Sequence, residues 1–240
     1  MQKTEDNPIL NSPYSEPVRH YATDTQGNLN YKDIRGGRRV FTPDVPQVPL
    51  GQQAQGSMFD LNDLKSEYGK HLVNQMREQI GEWRQSGYRG ITSRVTRDLL
   101  AYWFANPERA SHQKLFFAQQ EAVETAIWLN ELAEKSNTGT HLLNQLRQRQ
   151  ATAGDNPADQ LPRYAFKMAT GSGKTVVMAC LILYHYLNRR EYRSDTRYCD
   201  YFLVVAPGIT IRDRLKVLIP DARHDSPQDA QDYYRQRYLL

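Results

Sequence analysis

Cysteine is scarce: the 240 residues hold two, Cys180 and Cys199. Neither sits at zinc-ligand spacing, so a disulfide-stapled scaffold and a Cys-based metal site are both excluded. Long apolar runs are missing as well. The densest, Val176 to Leu187 (VVMACLILYHYL), is shorter than the roughly 20 residues that span a bilayer, and it contains His185. The N-terminus, MQKTEDNPIL, has no basic start followed by an apolar stretch, so it does not read as a signal peptide. Together these absences predict a cytoplasmic protein without a membrane partner. Neither sign of charge dominates: 31 basic and 27 acidic residues leave +4, too little to argue for a nucleic-acid partner without local placement. The six histidines show no ligand spacing, and His20, His71, His112 and His185 read as surface or packing residues. Internal repeats and low-complexity tracts are also lacking.

What is present suffices for a core, with 39% hydrophobic residues. Three regions differ in texture. Residues 1–56 hold half of the 12 prolines (Pro8, Pro13, Pro17, Pro43, Pro46, Pro49) and little apolar periodicity. They read as an extended segment with short strands near Val18–Tyr21 and Arg38–Phe41, and with Gly36-Gly37 as the turn. Residues 57–150 are helical in pattern. Leu61, Leu64, Tyr68, Leu72, Met76, Ile80 and Trp83 fall on one helix face, with Asp60 as cap and Gly87 as stop. Further helices are predicted over Ser93–Phe104, about Phe116–Lys135, and His141–Gln150. In residues 151–240 the period changes. Tyr164–Met168 and Tyr201–Val205 (YFLVV) have strand composition, and Thr175–Tyr186 between them is helical. Strand, helix, strand predicts a βαβ unit and hence a parallel sheet.

The strongest chemical signal is Ala169-Thr170-Gly171-Ser172-Gly173-Lys174-Thr175, between a predicted strand and a predicted helix. Gly171 and Gly173 permit backbone geometry that turns successive N–H groups toward phosphate oxygens. The helix N-terminus adds partial positive charge. In such a loop the Lys174 ammonium reaches the β- and γ-phosphates, and the Thr175 hydroxyl ligates Mg²⁺. One departure stands out: the general pattern starts with Gly six positions before its Lys, and here that position is Met168.

Met168-Ala169-Thr170-Gly171-Ser172-Gly173-Lys174-Thr175 resembles motif I of superfamily 2 helicases (the DEAD/DEAH-like group), particularly restriction-enzyme motor subunits, where Met-Ala-Thr-Gly is frequent. Upstream, Leu115-Phe116-Phe117-Ala118-Gln119-Gln120-Glu121-Ala122-Val123 is similar to the segment that precedes motif I in that superfamily. The resemblance implies that Gln119, rather than Gln120, reads the adenine edge. An amide suits that role, because it offers a donor and an acceptor. Downstream, Val204–Leu215 (VVAPGITIRDRL) is similar to motif Ia. That likeness implies contacts from Pro207, Gly208, Thr210, Arg212 and Arg214 to the backbone of double-stranded DNA. The opening NSPYSEP, followed by Arg19-His20-Tyr21 and Gly37-Arg38-Arg39, resembles the start of Res subunits of type III restriction enzymes.

The family resemblance implies an α/β fold: a RecA-like parallel sheet, preceded by a mostly helical region and an extended N-terminal segment. It implies ATP and Mg²⁺ as cofactors, DNA as substrate, and a modification methylase as a partner. No Asp-Glu box follows motif I, so the chain reads as the N-terminal piece of an ATP-dependent translocase, with little turnover of its own. Two rivals stay open. One is a non-catalytic, nucleotide-responsive binding module. The other is a small-molecule kinase, for which no lid or substrate residues are found. The basic-aromatic run of Arg189, Arg190, Arg193 and Arg197 with Tyr186, Tyr192 and Tyr198 reads either as a single-strand binding patch or as a solvated connection.

Overall fold

The computed structural model describes residues 9–23, 28–41, 71–110, 113–151, 163–221 and 231–240. The chain divides into two compact units, Met1–Glu82 and Trp83–Leu240.

In the first unit Asn11 organises the chain by its side chain. Its Oδ1 accepts from the N–H groups of Val18 (3.0 Å) and Arg19 (3.1 Å), and its Nδ2 donates to the Arg19 carbonyl (2.9 Å). That clamp launches β1 (Arg19–Thr23), which pairs antiparallel with β2 (Leu29–Gly36). The register runs Arg19↔Gly36 and Tyr21↔Ile34, then shifts at a bulge between Tyr21 and Ala22. Gly36-Gly37 is not the hairpin turn. Gly37, at φ 82°, closes the far end of β2 by donating its N–H to the Val18 carbonyl (2.7 Å). Val18 and Arg38–Phe41 lie outside the strands. Phe41 is pinned through its N–H and C=O to the Asn74 side chain, both at 2.9 Å. Asn74 lies on α1 (Leu72–Gln85). The predicted cap Asp60 and the face residues Leu61, Leu64 and Tyr68 lie outside the described residues.

The second unit is helical. The chain leaves α1 through Gly87 at φ 71°, the expected stop. Ser93 caps α2 (Arg94–Leu100), its side chain accepting from the Thr96 N–H, and a π-turn at Ala101–Ala105 extends this helix. Next come α3 (Phe117–Glu131), a 3-10 turn at Ala133–Lys135, and α4 (Asn137–Ala151). Then follow α5 (Lys174–Glu191), α6 (Ile209–Leu215), a 3-10 turn at Lys216–Leu218, and α7 (Tyr233–Gln236). Helices α2 and α3 both pack on α5. The core between them includes Leu100, Val123, Ile127, Ala179, Cys180 and Tyr184, each at most 1% exposed.

Two features hold the helices in register. Gly139 lets α4 start against the preceding turn, because a Cβ there would lie 2.2 Å from the Ala133 carbonyl oxygen. Buried polar groups also pair across the helices. Glu131 accepts from the hydroxyls of Thr96 (2.7 Å) and Tyr184 (3.0 Å). Asn188 bonds to Ser93 and Thr96. Burial, and then the Glu131 carboxylate, holds the Tyr184 phenol far above its usual range, so it remains a donor.

The α/β class is present, but the sheet differs from expectation. Among the described residues the only sheet is the antiparallel hairpin β1–β2. The strand candidates Tyr164–Met168 and Tyr201–Val205 run without a hydrogen-bonded ladder. A strand exists through its partner, and neither segment finds one among the described residues.

Candidate nucleotide site

The candidate site is built on the N-terminus of α5. Thr170, Gly171 and Ser172 form the loop, Gly173 is the N-cap, and Lys174 and Thr175 begin the helix. Gly171 (φ 77°) and Gly173 (φ 79°, ψ 41°) are both left-handed, a conformation that L side chains resist. Glycines of this hand are common in backbone nests that bind anions; in this structure the Ser172 N–H between them is bonded to the Ala169 carbonyl. The first N–H groups of α5 have no intrahelical acceptors. The helix dipole favours negative charge at the same point.

The Ala169 carbonyl collects the loop. It accepts from the Ser172 N–H (3.3 Å), the Ser172 hydroxyl (2.6 Å) and the Lys174 ammonium (2.8 Å). Lys174 is exposed and Thr175 half-buried. The space that a Cβ on Gly171 would take is open, with no heavy atom within 4 Å. A phosphate oxygen therefore has room at the loop, and the ammonium lies at hand on a neutral carbonyl.

Gln119 reaches the loop from α3. Its Oε1 accepts from the Phe116 N–H (2.9 Å), which caps the start of that helix, and its Nε2 donates to the Ser172 carbonyl (3.0 Å). Gln119 is 5% exposed. The contact is close: a Cβ on Gly173 would lie 2.1 Å from Nε2. One N–H and one lone pair of the amide remain. Gln120 points elsewhere, donating to Glu124 (2.8 Å) and to the Tyr88 hydroxyl (3.3 Å).

Sequence reasoning missed what steadies α3 from behind. Glu124 is fully buried and takes a bidentate pair from Arg84, with the Nη2 contact at 2.6 Å. The Tyr88 hydroxyl also donates to Glu124, at 2.7 Å. Burial, and then the Glu124 carboxylate, pushes the Tyr88 phenol well above its ordinary range. The Arg84 guanidinium lies 4.9 Å from the centroid of Phe117. The i, i+4 spacing of Gln120 and Glu124 was the one available signal, and it does not identify Arg84 as the partner.

Pro207, Gly208, Thr210, Arg212 and Arg214 are all exposed, on α6 and just before it. Among the described residues no hydrogen bond joins them to the loop. Asp213 pairs with Lys216 at 3.0 Å and with Arg212 at 3.7 Å. The basic-aromatic run from the end of α5 onward is largely used internally. Asp195 binds the Arg197 fork, and its carbonyl accepts from Arg189 (3.1 Å). Tyr192 accepts from the Arg94 N–H (3.1 Å), and Tyr198 is 4% exposed. Within the same packed region, burial holds the His185 imidazole below its usual range. Among the described residues no group of three or more His, Cys, Asp or Glu side chains is placed to hold a metal. Nor is any helix there long and apolar enough to cross a membrane.

A family model described as "Type III restriction enzyme, res subunit" matches residues 112–237, just over half of the chain. Gln119, the glycine loop at the start of α5 and α6 all fall inside that span. Nothing among curated proteins or solved structures matches the chain.

Proposed function

The chain belongs to the type III restriction enzyme res subunit family, and from that premise we propose that it binds ATP as part of a helicase-like, DNA-translocating restriction subunit. One observation carries this reading. The left-handed pair Gly171 and Gly173 leads into the N-terminus of an 18-residue helix, with Lys174 resting on the Ala169 carbonyl, a setting suited to an anion nest. The nest binds the phosphates, and Lys174 exchanges that neutral acceptor for a phosphate oxygen, a stronger charge-assisted bond. Thr170 and Ser172 complete the loop.

Gln119 is placed to couple adenine to the loop. Its remaining N–H and lone pair read the base edge, while its existing bond holds the Ser172 carbonyl. Thr175, half-buried in the first turn of α5 next to Lys174, is read as the single Mg²⁺ ligand that its hydroxyl can supply. Mg²⁺ usually takes its other ligands from phosphate and water, and it neutralises phosphate charge. Tyr164–Met168 and Tyr201–Val205, unladdered here, are the segments that a RecA-like parallel sheet would take up as strands. The exposed Pro207, Gly208, Thr210, Arg212 and Arg214 are where duplex DNA passes, by its backbone. A modification methylase is the partner that membership of this family suggests.

The test is titration of the chain with a fluorescent ATP analogue. Lys174→Ala should weaken binding roughly 10- to 100-fold, the range for a hydrogen bond to a charged group. Equal affinity in the variant would sink the phosphate-loop reading. The nucleotide-responsive binding module would gain if ATP binds but DNA does not.

A further inference from the structure

The hairpin of the first unit carries cations that its own packing does not use. Its backbone is fixed without them. Asn11 clamps Val18 and Arg19, Gly37 closes on Val18, and the His20 ring meets the Gly37 carbonyl at 2.8 Å. Among the described residues of the hairpin and its flanks, 9–23 and 28–41, the basic side chains are Arg19, Lys32, Arg35, Arg38 and Arg39. Arg35 pairs with Asp33 at 3.0 Å, and Arg38 with Glu16 at 3.8 Å. The other three, Arg19, Lys32 and Arg39, are exposed and have no carboxylate partner among the described residues. Arg19 and Arg39 line the same open concavity of about 290 Å³, together with Asn11, His20 and Tyr21. Aromatic and apolar groups lie out among these charges: Tyr31 is 62% exposed, Ile34 51% and Leu29 44%.

We propose that this hairpin is a second DNA-contacting element, which seats on the phosphate backbone of duplex DNA through Arg19, Lys32 and Arg39. Charge complementarity selects the ligand. The unpartnered cations match a repeating anion, and folding has already ordered the backbone that carries two of them. Shape agrees. The eight residues of β2 span roughly 26 Å at about 3.3 Å per residue. A two-stranded ribbon fits the major groove, about 12 Å wide, and exposed apolar side chains along it can meet base edges there. The proposal rests on the hairpin's charge and form. It does not depend on the nucleotide loop, and it lies outside the span 112–237.

Fluorescence anisotropy of the full chain on a short labelled duplex tests it, between about 50 and 200 mM salt. The triple variant Arg19→Ala, Lys32→Ala, Arg39→Ala should bind at least several-fold more weakly at low salt. It should also flatten the plot of log affinity against log salt by about 3, near 0.9 per lost phosphate contact. Arg19→Lys with Arg39→Lys should keep most of the affinity, because charge is retained. Circular dichroism should be unchanged in both, since the altered groups are exposed. Arg212→Ala with Arg214→Ala probes α6 separately, so failure of that site and failure of the hairpin give different patterns. A triple variant with the wild-type slope overturns the proposal, and so does a chain that binds no duplex. Displacement by polyglutamate as readily as by unlabelled duplex, at matched charge, would also overturn it, in favour of an acidic protein surface.

Discussion

Gly173 bears two constraints at once. Its φ of 79° is strained for any L side chain, and a Cβ there would meet the Gln119 amide at 2.1 Å. Gly173→Ala should therefore destabilise the unit by about 1–3 kcal/mol, combining left-handed strain with a displaced Gln119. Combining it with Gln119→Ala removes the collision but leaves the backbone strain. The two changes should then be less costly together than their sum, in urea denaturation. Strict additivity would mean that Gln119 does not press on the loop. At the same scale, Lys174 on the Ala169 carbonyl explains why the nucleotide titration is the direct readout for that side chain. In the proposed reading it would exchange a neutral acceptor for an anionic one.

Among the elements, α3 carries the most. Its N-terminus presents Gln119 to the loop, and its middle buries Glu124 beneath Arg84, Tyr88 and Gln120. Deleting one partner of a buried pair leaves an uncompensated charge. Arg84→Ala should cost about 3–5 kcal/mol by chemical denaturation. Replacing both partners with apolar residues, Arg84→Met and Glu124→Leu, should recover much of that loss. The double change still leaves Tyr88 and Gln120 short of an acceptor, so recovery should be incomplete. A loss below about 1 kcal/mol for Arg84→Ala would show that water reaches Glu124. Helix α5 is held differently. Its hydrophobic side chains pack on α2 and α3, while Asn188 bonds to Ser93 and Thr96 near its C-terminal end.

At the scale of the second unit, the unladdered segment Tyr201–Val205 presents a row of exposed apolar side chains. Tyr201, Leu203 and Val205 are 89%, 90% and 80% exposed. Phe202 and Val204 line a large cavity of about 1070 Å³, shared with α5 and the C-terminal turns. A β-prone apolar stretch without a ladder partner among the described residues is a template for strand addition. Leu203→Lys should reduce self-association by light scattering and leave the circular dichroism spectrum unchanged. Unaltered association would place the adhesive surface elsewhere. The C-terminal residues are themselves tied down: Trp103 donates to the Leu239 carbonyl at 2.9 Å, and Arg109 to that of Arg237 at 2.8 Å. Burial holds the Arg109 guanidinium below its usual pKa, as expected for a cation whose bonds go to neutral carbonyls.

The helices and the left-handed glycine loop ahead of α5 were legible in the sequence because their information is local. A helix closes its hydrogen bonds within four residues, so the spacing of apolar residues, the Ser93 cap and the Gly87 stop announce it. The loop needs only two permissive glycines ahead of a helix, which Gly171 and Gly173 supply. The folded structure decided everything that depends on a distant partner. It turned Gln119 toward the loop and Gln120 toward Glu124, and it chose Arg84 as the buried counter-ion. It set the β1–β2 register and moved the turn away from Gly36-Gly37. It also left YFLVV unladdered despite strand composition. Composition fixes which backbone a segment prefers; hydrogen bonds and charge pairs across tens of residues exist only where folding brings both halves together.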